Sequence, residues 1–122
     1  MFDFEQLNVY QKSLKLNDGI FGLLRANPAI DRFLQDQLKR ATVSISANIA
    51  EGSGRFTLCD RRHFFVISRG SAFESYSLLQ IISNQYSLES TSLNRIKLQV
   101  EEITKMLFGL INKIKPKSAP IN

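Results

Sequence analysis

The residues best suited to chemistry lie on either side of a Gly-Ser-Gly break at positions 52–54. Arg55, Arg61 and Arg62 bracket that break. Where a glycine-rich turn leads into a helix, free backbone N–H groups and nearby guanidiniums can together receive a phosphate. Between Arg25 and Arg69 eight basic residues (Arg25, Arg32, Lys39, Arg40, Arg55, Arg61, Arg62, Arg69) stand against four acidic ones (Asp31, Asp36, Glu51, Asp60), so the positive surplus gathers in this segment. Lys39 and Arg40 extend the same chemistry upstream, and Lys12 and Lys15 add cations on the polar face of the first helical segment. For the isolated lysines ordinary solvation is at least as good an account. Lys113, Lys115 and Lys117 read as a solubilising terminus that touches phosphates only nonspecifically.

A second constellation places polar residues inside apolar helical patterns. Leu34, Leu38, Ala41, Ile45 and Ile49 form a stripe at helical spacing, and Asn48 falls within it, so Asn48 needs a buried partner. Glu51 precedes Gly52 and Gly54 at a helix C-terminus, where the macrodipole disfavours a carboxylate. Arg69, followed by Gly70 and Ser71, sits in an apolar helix, where a guanidinium is costly unless its donors are met. Glu74 lies about 140° around the helix from Arg69 and is a poor partner. The expected pair is therefore Arg69 with Glu51 across two helices, completed by Asn48 and Ser71, and its loss should cost about 3–5 kcal/mol.

Catalysis finds little support. Glu51, Glu74, Arg69 and His63 come nearest to an acid–base set, but there is no Glu-x-x-His pair, no phosphate loop in a strand-to-helix setting and no activated nucleophile. The lone Cys59 and the single His63 leave a zinc site or a histidine triad short of parts. The sequence reading is no enzyme, no catalytic residue, no metal and no cofactor.

Four helical patterns must carry these residues, at about 4–25, 28–51, 58–84 and 92–114. Asn27-Pro28 supplies a break with a cap and a proline at the first helical position, Gly52-Ser53-Gly54 stops the second helix, and Thr57 with Asp60 starts the third. Leu93, Ile96, Val100, Ile103, Leu107, Leu110 and Ile114 alternate three and four apart as a heptad seam. Pro116 and Pro120 end regular structure, leaving 116–122 as a flexible tail after a single domain of residues 1–115. The fold class is all-α, an up-and-down antiparallel four-helix bundle.

Helix one carries two apolar stripes, Leu7, Tyr10, Leu14, Phe21 and Leu24 on one face and Val9, Leu16, Ile20 and Leu23 on another. Helix three is apolar around most of its circumference. One monomer cannot cover all of this, which predicts a homo-oligomer.

Three segments together resemble a known family. Leu7-Asn8-Val9-Tyr10-Gln11-Lys12-Ser13, Ser44-Ile45-Ser46-Ala47-Asn48-Ile49-Ala50-Glu51-Gly52 and Ser68 to Glu74 are similar to motifs of the four-helix-bundle proteins encoded in intervening sequences of bacterial 23S ribosomal RNA genes. Tyr10 stands where that pattern has Trp, and Ser46 where it has Pro. The resemblance spans about 4–115. It implies a bundle assembled as a ring of five protomers. It also implies an accessory role, since relatives include the accessory variability determinant of diversity-generating retroelements, which works with a reverse transcriptase and nucleic acid.

Composition fits these expectations. The 122 residues are 43% hydrophobic, enough for one core, and the net charge of +5 with a pI near 9.6 favours an anionic partner. No run of 18 apolar residues appears, Asp3 and Glu5 interrupt any leader, and the lone cysteine suits a reducing compartment, so the expected location is the cytoplasm, with no membrane partner. The expected function is non-enzymatic binding of nucleic acid, structured RNA above all, by backbone and shape, because the aromatic residues mostly occupy core-like positions. The alternative is a protein-binding adaptor that docks an acidic partner or a nucleic-acid enzyme.

Overall fold

The computed structural model describes residues 2–114, so the tail read at 116–122, and Lys115 and Lys117, lie outside the described residues. A 3-10 turn, Asp3–Gln6, precedes four helices: α1 (Asn8–Ala26), α2 (Arg32–Ser53), α3 (Leu58–Gln85) and α4 (Ser90–Lys113). There is no strand among the described residues. Cross-helix pairs run in opposite directions along each neighbouring pair. Ser13 meets Ser46 while Asn17 meets Thr42, and Arg62 reaches Ile111 while Arg69 reaches Thr104. α4 returns to pack on α1, whereas α1 does not touch α3, which makes an antiparallel bundle with four lateral seams.

Three helix starts differ from the periodicity. The first helix does not begin at 4. Glu5 Oε1 accepts the Phe2 N–H at 2.7 Å to close the 3-10 turn, and extended Leu7 separates that turn from α1. The second helix does not begin at Pro28. The Asn27 amide donates backwards to the Leu23 carbonyl at 2.8 Å, so it closes α1 instead of opening α2. Asp31 is the true N-cap, accepting the Phe33 N–H at 2.8 Å. Thr57 caps α3 by accepting the Asp60 N–H at 3.1 Å. α4 begins two residues earlier than 92, with Ser92 Oγ donating to Glu89 Oε1.

Of the two stripes on α1, Val9, Leu16, Ile20 and Leu23 face the core, while Leu7 and Tyr10 pack at its margin. The α4 seam is buried at Ile96, Val100, Ile103 and Leu107, with Ile111 replacing Leu110 in the last turn. Exposed large apolar side chains occur on α2 (Phe33, Val43), on α3 (Leu58, Val66, Ile67, Phe73, Ile81) and on α4 (Leu98, Phe108), with α3 carrying the most.

All buried polar side chains among the described residues are Ser or Thr, and each has a partner. Ser13 Oγ donates to the Tyr10 carbonyl and lies 2.7 Å from Ser46 Oγ; Asn17 donates to Ser46 Oγ and accepts from Thr42 Oγ1. This chain of bonds pins α1 to α2. Ser68 Oγ donates to the Ile45 carbonyl at 2.8 Å, and Ser44 and Ser71 hydroxyls are 2.8 Å apart, which pins α2 to α3.

The tightest approach is at Gly52. A Cβ there would meet Phe64 Cβ at 3.0 Å, the Arg61 carbonyl at 3.1 Å and Phe65 Cε1 at 3.2 Å. Two of these atoms are fixed to the α3 backbone and cannot swing away. Gly52→Ala should therefore cost about 1–3 kcal/mol by forcing the helices apart. At exposed Gly109, where a Cβ meets nothing within 4 Å, alanine should instead gain about 0.5–1 kcal/mol of helix propensity. Urea unfolding of both variants checks this, and equal effects would refute the close-approach argument.

Candidate nucleic-acid interface

Of the cations expected to bind phosphate, Arg55 lies in the α2–α3 turn and Arg61 and Arg62 lie at the start of α3, at the same end of the bundle. The turn is short and held on both sides. The Gly54 N–H donates to the Ala50 and Glu51 carbonyls, the Arg55 N–H to the Gly52 carbonyl, and the Arg61 N–H to the Thr57 carbonyl. The C-terminus of α4 and the start of α1 share this end of the bundle, as the antiparallel pairing requires.

Each arginine is held by a contact inside the chain. Arg55 Nη2 pairs with Glu51 Oε2 at 2.7 Å, and its guanidinium lies 4.5 Å from the Phe64 ring centre. Arg61 Nη2 makes a long bond, 3.5 Å, to the Ser53 carbonyl at the end of α2. Arg62 Nε donates to the Ile111 carbonyl at 3.3 Å, a second bond on an oxygen in the last turn of α4 that already accepts the Ile114 N–H. These contacts use a minority of the five N–H donors on each guanidinium. The Nε atoms of Arg55 and Arg61 are buried without a partner. Glu51 and Asp60 offset two of the three positive charges, so the local surplus is smaller than the sequence count suggests.

The remaining candidates lie elsewhere. Lys39 and Arg40 sit on α2 about 22 Å from Arg55 by helical rise. Lys39 packs over the Phe21 ring at 5.6 Å, and Arg40 is exposed. Lys12 pairs with Glu102 of α4 at 3.1 Å, and Lys15 is exposed on α1. They do not form one patch with the turn.

The expected Arg69–Glu51 bridge is absent. Arg69 instead donates from Nε to the Thr104 carbonyl at 3.2 Å, and its guanidinium lies 4.8 Å from the Phe73 ring and 5.3 Å from the Phe108 ring. Glu51 faces Arg55, one turn along its own chain, because both sit at the exposed end of α2. Asn48 is half-buried and bonds back to the Ser44 carbonyl and hydroxyl at 2.8 and 2.9 Å. Ser71 meets Ser44, not Arg69. Glu74 and Gly70 are exposed on the outer face of α3. The motif thus divides into a hydroxyl–amide seam, an end-of-helix ion pair and an arginine between aromatic rings.

The aromatic residues also depart from expectation. Five of the nine phenylalanines (Phe2, Phe33, Phe56, Phe73, Phe108) are exposed, and only Phe65 is buried in the core. Phe56 is 104% exposed within the arginine turn, and the signal for it was a phenylalanine among Gly, Ser and Arg, types that otherwise favour a turn. Away from this end, a groove of about 550 Å³ between α3 and α4 is lined by Tyr76, Gln80, Asn84, Leu93, Asn94 and Lys97. Among the described residues no cluster of three or more His, Cys, Asp or Glu could hold a metal, and no helix is long and apolar enough to cross a membrane.

Arg69→Met keeps an apolar stem between the two rings and leaves no buried carboxylate alone. It should cost about 1–2 kcal/mol, for lost cation–π contact and one hydrogen bond, instead of the 3–5 kcal/mol of a broken buried pair. Thermal melts of this variant beside Glu51→Gln, whose exposed pair contributes about 0.5 kcal/mol or less, discriminate the two pictures.

A family model described as 23S rRNA-intervening sequence protein matches residues 5–109. Among solved structures, a protein of unknown function from the S23 ribosomal protein family of Bacteroides thetaiotaomicron is similar, with a TM-score of 0.77 and 24% identity over 84% of this chain and 97% of that one. That likeness speaks for the fold. Comparison with curated proteins gives no match.

Proposed function

The chain belongs to the 23S rRNA-intervening sequence protein family, and from that premise we propose that it is a non-enzymatic, self-associating accessory protein that binds structured RNA through the α2–α3 turn. The observation that carries this reading is the placement of Arg55, Arg61 and Arg62 at one end of the bundle, around the α2–α3 turn, with N–H donors left over after their internal contacts. Internal contacts fix each guanidinium before a ligand arrives, which lowers the entropy lost on binding. The net charge of +5 supplies the long-range attraction that brings a polyanion to the surface.

Self-association draws its support from Val43, Val66, Ile67, Phe73 and Ile81, large side chains that the monomer leaves in water. A ring of five, by family resemblance, is the proposed assembly, in the cytoplasm. The same apolar surface favours the second reading, an adaptor that docks an acidic protein or a nucleic-acid enzyme such as a reverse transcriptase.

Salt dependence separates the two. Two phosphates neutralised per protomer in a ring of about five predict a log–log salt slope of about −7 to −9 for RNA or duplex binding, measured by fluorescence anisotropy with the assembly mass recorded alongside. Arg55→Gln/Arg61→Gln/Arg62→Gln should flatten that slope. Glu51→Gln should tighten binding several-fold by removing the negative charge that competes with phosphate for Arg55, whose guanidinium stays seated on Phe64. Binding that is absent or insensitive to salt, with an unchanged assembly, would refute the RNA reading and favour the adaptor.

A further inference from the structure

Phe56 is the one residue of the arginine turn whose presence nothing inside the fold explains. Its side chain is 104% exposed and touches no other ring. The sequence Gly-Ser-Gly-Arg-Phe-Thr gives no turn chemistry that calls for phenylalanine. Nor is the ring on a loose loop. The backbone before it is bonded to the end of α2 through Gly54 and Arg55, and the backbone after it is closed by the Thr57 cap. Arg55 beside it is held on Phe64 and Glu51. An aromatic face is thus presented to solvent from a fixed base, flanked by cations.

We infer that Phe56 is a stacking platform for an unpaired nucleobase, with the adjoining phosphates received by Arg55, Arg61 and Arg62. This rests on the RNA-binding reading and names the form of RNA the turn selects. In a duplex both faces of an interior base are covered by its neighbours, so the unpaired base must come from a loop, a bulge or a single-stranded end, none of which a blunt duplex has. The surroundings favour a nucleotide over a protein pocket. Leu58 is the exposed apolar neighbour in sequence, and Arg55 and Thr57 flank the ring. An apolar island of that size matches one flat base, whereas a stable protein interface covers about 800 Å² on each side.

The chain contains no tryptophan, so Phe56→Trp places a single reporter at the site. The test uses the full chain with two labelled RNAs of equal length, a hairpin with an unpaired loop and a blunt duplex. The wild type should prefer the loop RNA by about tenfold. Phe56→Ala should weaken loop binding by about 5- to 150-fold while leaving duplex binding and the salt slope unchanged. Phe56→Trp should keep the preference, and its fluorescence should be quenched by the loop RNA and not by the duplex.

Equal affinity of Phe56→Ala and wild type for the loop RNA would overturn the stacking platform and leave backbone binding standing. Loss of both RNAs in Arg55→Gln/Arg61→Gln/Arg62→Gln, with no effect of Phe56→Ala, would confirm that separation. A change of assembly mass in Phe56→Ala would assign the ring to contact between copies and overturn the inference. No binding of either RNA by the wild type would overturn it together with the reading it rests on.

Discussion

The close approach of α2 to α3 at Gly52 is the constraint from which the arginine-bearing end of the bundle follows. With Phe64 Cβ and the Arg61 carbonyl about where a side chain would start, the two helices meet almost backbone to backbone. Small residues continue the seam away from the turn, at Ser68, Ser71, Ala72 and Ser75, and their hydroxyls bond across or along it without needing space. Because the helices are already in contact where α2 ends, a turn of four residues suffices to join them. Residues on such a turn have few alternative positions. That rigidity holds Arg55, Phe56 and Arg61 in a fixed mutual arrangement without any of them being buried.

The arginines illustrate how one side chain serves the fold and the surface at once. A guanidinium carries five donors in a plane, and one or two are enough to cap a helix carbonyl or meet a carboxylate. Arg62 covers Ile111 at the end of α4, and Arg61 reaches toward the end of α2, so each also opposes the negative pole of a helix. Arg69 shows another solution to the same cost. A guanidinium in an apolar helix does not need a carboxylate here, because Phe73 and Phe108 offer two ring faces and Thr104 a carbonyl, which suit a half-buried cation without desolvating a second charge.

The architecture was legible because it rests on periodicity over long segments. The heptad alternation on α4 from Ile96 to Leu107, the Thr57 cap and the glycine-bearing break each depend on neighbours within a turn or two of helix, and the structure has them, although α2 runs two residues past Glu51 to stop at Gly54. What was not legible depends on which side of a helix faces which neighbour. Asn48 falls within the apolar stripe, yet a small rotation leaves it half-exposed and free to bond back to Ser44. Ser13, Asn17, Thr42 and Ser46 looked like ordinary polar residues until two helices brought them together. Asn27 could cap forwards or close backwards, and only the position of Asp31 decides between them. At the proposed site, charge alone singles out the arginines near the turn, whereas the exposure of Phe56 is legible only from its turn neighbours, which place it outside any apolar stripe.

The distribution of surface types also bears on how a weakly charged turn can serve as a binding site. The large exposed apolar side chains of α3 lie along the flank of the bundle, whereas the arginine turn is at its end. Association through a flank leaves the end open. In a closed cyclic assembly every copy presents the same end on the same side, because rotation about one axis cannot invert a subunit. A single turn, with Glu51 and Asp60 set against three arginines, attracts a phosphate backbone only modestly. In the proposed ring, several such turns on one rim would act on a flexible polyanion at high effective concentration, and their affinities would multiply instead of adding. The acidic residues at the turn would then be an advantage, since they would keep one protomer from holding any polyanion tightly and make binding depend on an RNA long enough to reach several turns at once.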